Sequence, residues 1–152
     1  LGFVNLGVPS LWHDELVLVA PPDHRWAGRA GVEVDALRTE PLVLRPHGSG
    51  TRRLLEQRLA MAGAPPLERF RVVAELGSSA AVIQGVRAGL GVSVLSRRAV
   101  AEVAARGELA LVPLEDLDLR RTFHLARHRR RSLSPAGLAL AEFLERDRPV
   151  ET

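Results

Sequence analysis

Apolar residues fall along this chain in short dense runs, separated by stretches with helical spacing. Glu15 to Ala20, ELVLVA, suits a strand buried on both faces, and Pro21-Pro22 stops it. Pro41 to Leu44 reads as the next strand. Val72, Val73 and Leu76 form a third, rich in β-branched residues and bounded by a turn. Val92 to Leu95 and Leu109 to Leu114 add two more, and Arg121 to Ala126, RTFHLA, alternates sides. Between these runs, Leu55, Leu59 and Ala62 share one helical face, as do Val82, Ile83 and Val86 within Ala80 to Ala88. Arg97 to Arg106 is a further helix closed by Gly107. Leu138, Ala141, Phe143 and Leu144 give the last helix an apolar stripe.

Small and polar residues punctuate these elements. Thr51 is expected to cap the helix that carries Leu55 and Leu59, and a serine of Gly77-Ser78-Ser79 to cap the next. Gly89 suits the left-handed position just past a helix end, and Gly91 permits a close turn into the following strand. Ser134-Pro135 opens the last helix, with serine as cap and proline at the first turn. The tail from Asp147 is expected to fray. The stretch Arg71 to Val100 thus reads strand, polar turn, helix, glycine stop, strand. Such βαβ units nearly always lie in a parallel sheet, and ligands bind at the carboxyl ends of its strands.

Composition narrows the picture. At 152 residues the chain is long enough for a sizeable core. All 21 basic residues are arginine, a pattern that reads as genomic base composition. The net charge is only +3, weak evidence for nucleic-acid binding. There is no cysteine, which excludes a disulfide framework, a thiolate nucleophile and a cysteine metal site, and is compatible with a reducing cytoplasm. No apolar run approaches the ~18 residues of a membrane span, and no signal peptide is recognisable.

Two turns could carry chemistry. In Gly48-Ser49-Gly50-Thr51-Arg52, glycines let the backbone turn and hydroxyls donate hydrogen bonds. A helix start there adds free N–H groups and partial positive charge, which favours a small anion or carboxylate. The same residues also suit a plain helix cap, and the spacing and lysine of a Walker loop are missing. Arg52 could neutralise a charge or face solvent. Gly77-Ser78-Ser79 is a second such turn, with Ser78 preferred for a ligand and Ser79 for capping. Two polar turns on neighbouring strands would converge on one site.

The remaining candidates are weaker. His13, His24, His47, His124 and His128 form no helical metal-ligand pair, since His124 and His128, four apart, fall on an expected strand and loop, and only His47, beside the glycine loop, is placed to touch a ligand. His13-Asp14-Glu15 resembles an acid–base cluster, but adjacent strand residues point to opposite faces. Trp12 and Trp26 suit core packing, with Trp12 also able to wall a cleft. Arg127-His128-Arg129-Arg130-Arg131 resembles a nucleic-acid patch but has no interleaved aromatics, and a solvated loop is the preferred reading. No nucleophile–base pair, metal site or cofactor motif is found, so no catalytic residue is assigned.

The segments PLVLRPHGSGTRRLLEQRL and ELGSSAAVIQGVRAGLGVSVLSRRAV, with DELVLVAPPDH before them and LRRTFHLARHRRRSLSPAGLALAEFL after, occur in an order that resembles one family. That family is the effector-binding domain of LysR-type transcriptional regulators, and the resemblance runs from about Pro9 to Arg146. It implies an α/β, two-lobe fold like a type-2 periplasmic binding protein, with a ligand cleft between the lobes. Residues 1–20 and 122–152 would then form an incomplete lobe one, and 21–121 lobe two. Glu15 to Ala20 and Arg121 to Ala126 would be the two crossover strands, and Val32 to Leu37 a short helix.

The resemblance also places Gly48 to Thr51 and Gly77-Ser78 on the effector cleft, with His47, Arg52 and Trp12 as further candidates. It implies a cytoplasmic regulator that binds a small, anionic metabolite and pairs into dimers or tetramers. DNA contact would belong to a winged helix-turn-helix. In the family that domain precedes a run such as Leu1-Gly2-Phe3-Val4, so the chain reads as a fragment. Two other readings of the fold are a secreted solute-binding protein for a transporter and an enzyme.

Overall fold

The computed structural model describes residues 10–126 and 132–146. Six strands and four α-helices occupy these residues: β1 (Ser10–Ala20), β2 (Leu42–Leu44), α1 (Gly50–Met61), β3 (Val72–Glu75), α2 (Ser79–Arg87), β4 (Ser93–Ser96), α3 (Arg97–Ala105), β5 (Ala110–Val112), β6 (Arg120–His124) and α4 (Pro135–Arg146). Short 3-10 turns at Val34–Thr39 and Leu67–Arg69 lie between them. The chain divides into two compact units. One comprises residues 1–14 and 120–152, the other Glu15–Leu119.

The larger unit is built on β1, whose apolar run is buried on both faces. Leu16, Leu18 and Ala20 join one core cluster, while Val17 and Val19, pointing the other way, join a second. β4 and β5 both pair antiparallel with β1. β2 and β3 pair parallel with each other, and a parallel bridge between Leu42 and Val92 links β2 to the start of β4. The apolar faces of β2 and β4 alternate with the same period as β1. Leu42, Leu44, Val92 and Val94 look toward α1, with its Leu55 and Leu59. Val43 and Leu95 look toward α2 and α3, with Val82, Ile83, Val86 and Val100. Each such fully buried side chain contributes about 1.5–3 kcal/mol. Helices therefore cover both faces of this sheet.

The expected βαβ unit is present with one refinement. β3 and β4 run parallel through their common neighbour β2 and are not paired with each other. The crossover spans β2 because β2 is bonded on both sides. On one side Leu42 N–H donates to the Arg71 carbonyl, and on the other Val43 N–H donates to that of Val92. Gly91 makes this approach possible. Its φ is +150°, and a Cβ there would lie 2.1 Å from the Pro41 carbonyl oxygen, to which Val92 N–H donates at 2.9 Å. Trp26 is buried in the core facing α1.

Several expected boundaries move. Thr51 lies inside α1, because the helix begins at Gly50 and Ser49 is its cap. Ala62, expected on the buried face, is the exposed C-terminal cap residue. Residues 15–20, expected with lobe one, are drawn into the larger unit by their pairing with β4 and β5.

In the smaller unit β6 pairs with β1. Asp14 is buried, and its Oδ2 accepts from Arg121 Nε at 2.8 Å; Arg121 in turn lies over the Phe123 ring. His13 bonds Thr122 at 3.0 Å, and Glu15 pairs with Arg97 in the larger unit, so the three residues serve separate contacts and form no acid–base cluster. Ser134 Oγ accepts from Gly137 N–H at 3.2 Å and opens α4 as expected. Of the apolar stripe on α4, only Ala141 is buried. Leu138 and Phe143 are 47% and 49% exposed, because among the described residues no element covers that face. The expected loop 127–131 and the tail from Asp147 lie outside the described residues.

Candidate functional site

The two glycine–serine turns lie at one edge of the sheet, because β2 and β3 are parallel and each runs directly into a helix. After β2, Gly48 adopts φ +88°, a left-handed conformation that favours glycine, and so swings Ser49 into the extended geometry of a helix cap. Ser49 Oγ accepts from Arg52 N–H at 3.5 Å. After β3, Ser78 Oγ accepts from Ala81 N–H at the tighter 3.0 Å. The capping role therefore falls on Ser78, one residue before the serine expected to take it. A hydroxyl that accepts at a cap retains its own O–H as a donor, so neither serine is removed from binding. Ser96 repeats the device at the end of β4, accepting from Ala99 N–H at 3.4 Å.

Arg52 does not face solvent. Its side chain is only 6% exposed. It donates to Glu75 Oε1, to Glu56 Oε1 at 2.8 Å and to the Arg45 carbonyl at 3.3 Å, and its Nη2 lies 2.9 Å from His47 Nε2. Because a guanidinium only donates, His47 accepts there through an unprotonated Nε2. Burial works against the charge on Arg52, but the hydrogen bonds and charges of Glu75 and Glu56 outweigh it and raise its pKa. The same contact holds the Glu75 carboxyl below the usual glutamate range, against partial desolvation. Arg52 thus ties the first turn of α1 to the ends of β2 and β3.

Sequence reasoning missed Arg45. From the end of β2 its Nη1 donates to Ser79 Oγ at 3.0 Å, and its Nη2 donates to the Gly77 carbonyl at 3.0 Å. It joins the two turns directly. The available signal was its place immediately after a strand and before the glycine loop. Gly48, Ser49, Gly50, Thr51, Gly77 and Ser78 accordingly share one edge of the larger unit, with His47 exposed beside them. Trp12 belongs to the smaller unit, where it packs on Phe123 with ring centroids 5.6 Å apart.

Among the described residues no group of three or more His, Cys, Asp or Glu is gathered to hold a metal ion. Nor is any helix there long and apolar enough to cross a membrane.

The larger unit is thus an α/β sheet with helices on both faces and serine-capped helix starts at one edge. The regulatory domain of CcmR from Synechocystis PCC6803, solved in complex with 2-PG, superposes with a TM-score of 0.81 at 27% identity, over 94% of this chain and 67% of that one. The effector-binding domain of QuiR, solved with shikimate, shares the fold with a TM-score of 0.75 at 19% identity, over 95% of this chain and 68% of that one. Residues 5–148 match the LysR substrate binding domain, and the chain belongs to that family. It is 39% identical over 132 residues to the transcriptional regulator CbbR of Xanthobacter flavus, and 33% identical over 141 residues to a RuBisCO operon transcriptional regulator of Allochromatium vinosum. Those alignments cover 86% and 93% of this chain but only 39% and 45% of the relatives, so the chain spans less than half their length.

Proposed function

We propose that this chain serves as the effector-sensing part of a LysR-type transcriptional regulator, and that a small anionic metabolite binds at the edge formed by Gly48–Thr51 and Gly77–Ser78. The observation that carries this reading is the pair of serine-capped helix starts on adjacent parallel strands, joined through Arg45. Each helix start offers N–H groups and partial positive charge, and the hydroxyls of Ser49, Thr51 and Ser78 add donors. Together these groups favour an anion. The CcmR regulatory domain, solved with 2-phosphoglycolate, makes that anion a rational first probe.

The ligand would act by favouring one arrangement of the regulator over another, in proportion to its differential affinity for the two. For the regulator as a whole the proposal includes DNA binding, a cytoplasmic location and assembly into dimers or tetramers; the relatives' names as transcriptional regulators support the DNA-binding part. That role also favours sensing over solute transport. The same role favours sensing over turnover.

The test is calorimetric titration of the chain with 2-phosphoglycolate and, separately, shikimate, alongside Thr51→Val, which keeps shape and removes a donor. Saturable binding weakened at least several-fold in Thr51→Val, with the ligand recovered unchanged, is the expected result. Binding that ignores Thr51→Val, or chemical conversion of the ligand, would refute it.

A further inference from the structure

Arg45 differs from the other arginines of this edge in what balances it. Arg52, seven residues on, carries two carboxylates, Glu56 and Glu75. Among the described residues Arg45 has no carboxylate within 4.0 Å; its two terminal nitrogens rest on neutral acceptors, the Gly77 carbonyl and Ser79 Oγ. Its Nε–H is buried and has no hydrogen-bond partner. The guanidinium is itself half-buried, where a charge without a partner is costly. It also donates at the N-terminus of α2, whose partial charge has the same sign. Positive potential from these two sources has no carboxylate of its own, since Glu56 and Glu75 are engaged by Arg52.

We propose that Arg45 is the specificity-determining charge of the effector site. It positions Gly77–Ser79 and presents a guanidinium with no carboxylate of its own, which selects a carboxylate- or phosphate-bearing ligand over a neutral one. This deepens the effector reading above and rests on it for the identity of the site. Two functions combine in the one side chain. The fork holds the second turn in register with the first, and the unmatched charge waits for an anion from solution. Arg52, by contrast, is a structural tie whose charge is already spent on its own neighbours.

Inorganic phosphate is the probe, because it reports the charge without presuming the effector. Amide resonances of Gly48–Arg52 and Gly77–Ala81 are followed by NMR as phosphate is added to the 152-residue chain and to its Arg45→Lys and Arg45→Gln variants. Fold is checked by the unchanged remainder of each spectrum. Phosphate should shift both turns in the parent chain. Arg45→Lys, which keeps charge but not the fork, should bind within a few-fold, whereas Arg45→Gln should bind about tenfold or more weakly, equivalent to ~1.4 kcal/mol.

An equal response in Arg45→Gln, or no response in the parent chain, overturns the proposal. If Arg45→Gln alters the whole spectrum, Arg45→Lys decides: a loss as large as that of glutamine shows that the fork, not the charge, matters, and overturns it too. Phosphate binding that depends on Arg45, in a chain that binds neither 2-phosphoglycolate nor shikimate, sustains this proposal while leaving the effector reading without its ligand. Metabolite binding indifferent to Arg45 does the reverse.

Discussion

The turn that opens α1 and the turn that opens α2 are close to repeats in sequence, glycine then serine at a strand end, yet they are stabilised in different ways. The first is anchored by charge. Arg52 is buried among Glu56, Glu75, His47 and the Arg45 carbonyl, and the cap hydrogen bond of Ser49 is long at 3.5 Å. The second is anchored by neutral hydrogen bonds. Ser78 makes a 3.0 Å cap, and Arg45 holds Gly77 and Ser79 from the neighbouring strand. Similar turn chemistry therefore produces one corner whose arginine is met by carboxylates and one whose arginine is not, because the carboxylates lie on one side only.

That contrast can be broken at Arg52 with the largest effect. Arg52→Met should destabilise the chain by about 2 kcal/mol in urea denaturation, less than the ~3–5 of a fully buried pair because Glu56 and Glu75 remain partly hydrated. Arg45→Met should cost less, about 1 kcal/mol, since it loses two bonds to neutral acceptors and relieves an unmatched charge. A reversed order of these two would mean that the corners are balanced in some other way.

The caps sharpen the comparison. Ser78→Ala should cost about 1 kcal/mol and Ser49→Ala about half that, following the lengths of the two bonds, as read by thermal or urea unfolding. A smaller effect should appear with pH. Glu75 has a lower pKa folded than unfolded, so its contribution is present above the unfolded glutamate value and is lost as pH falls through the folded one. The stability difference between the parent chain and Glu75→Gln should therefore be constant near neutrality and shrink below about pH 4.3. A difference that persists unchanged in acid would remove the ion pair from the account. Smallest of all is Ser93→Ala, distant in kind from both corners. Its hydroxyl is fully buried without a partner, so its removal should leave stability unchanged or raise it by a few tenths of a kcal/mol.

Element type was largely legible from periodicity. Val82, Ile83 and Val86 are buried on one face of α2 as their spacing requires, and β1 is buried on both sides as its unbroken apolar run requires. The apolar stripe on α4 was legible too, yet its Leu138 and Phe143 stay exposed. Periodicity marks which residues share a face, but it carries no information on what lies opposite. Caps were read to within one or two residues, because several hydroxyls cluster at each turn and only backbone geometry chooses among them. The contacts of Arg52 and Arg45 were hidden for a similar reason: Glu75 and Ser79 approach them from 23 and 34 positions along the chain.

By itself the sequence determined the strands, the helices, the family resemblance and the two polar turns, since all of these rest on residues close together in the chain. The tertiary structure alone decided that β2 separates β3 from β4, that Ser49 and Ser78 are the caps, and which arginine is neutralised. These depend on which distant groups meet, and a guanidinium's role is set by the acceptors around it, which local pattern does not encode.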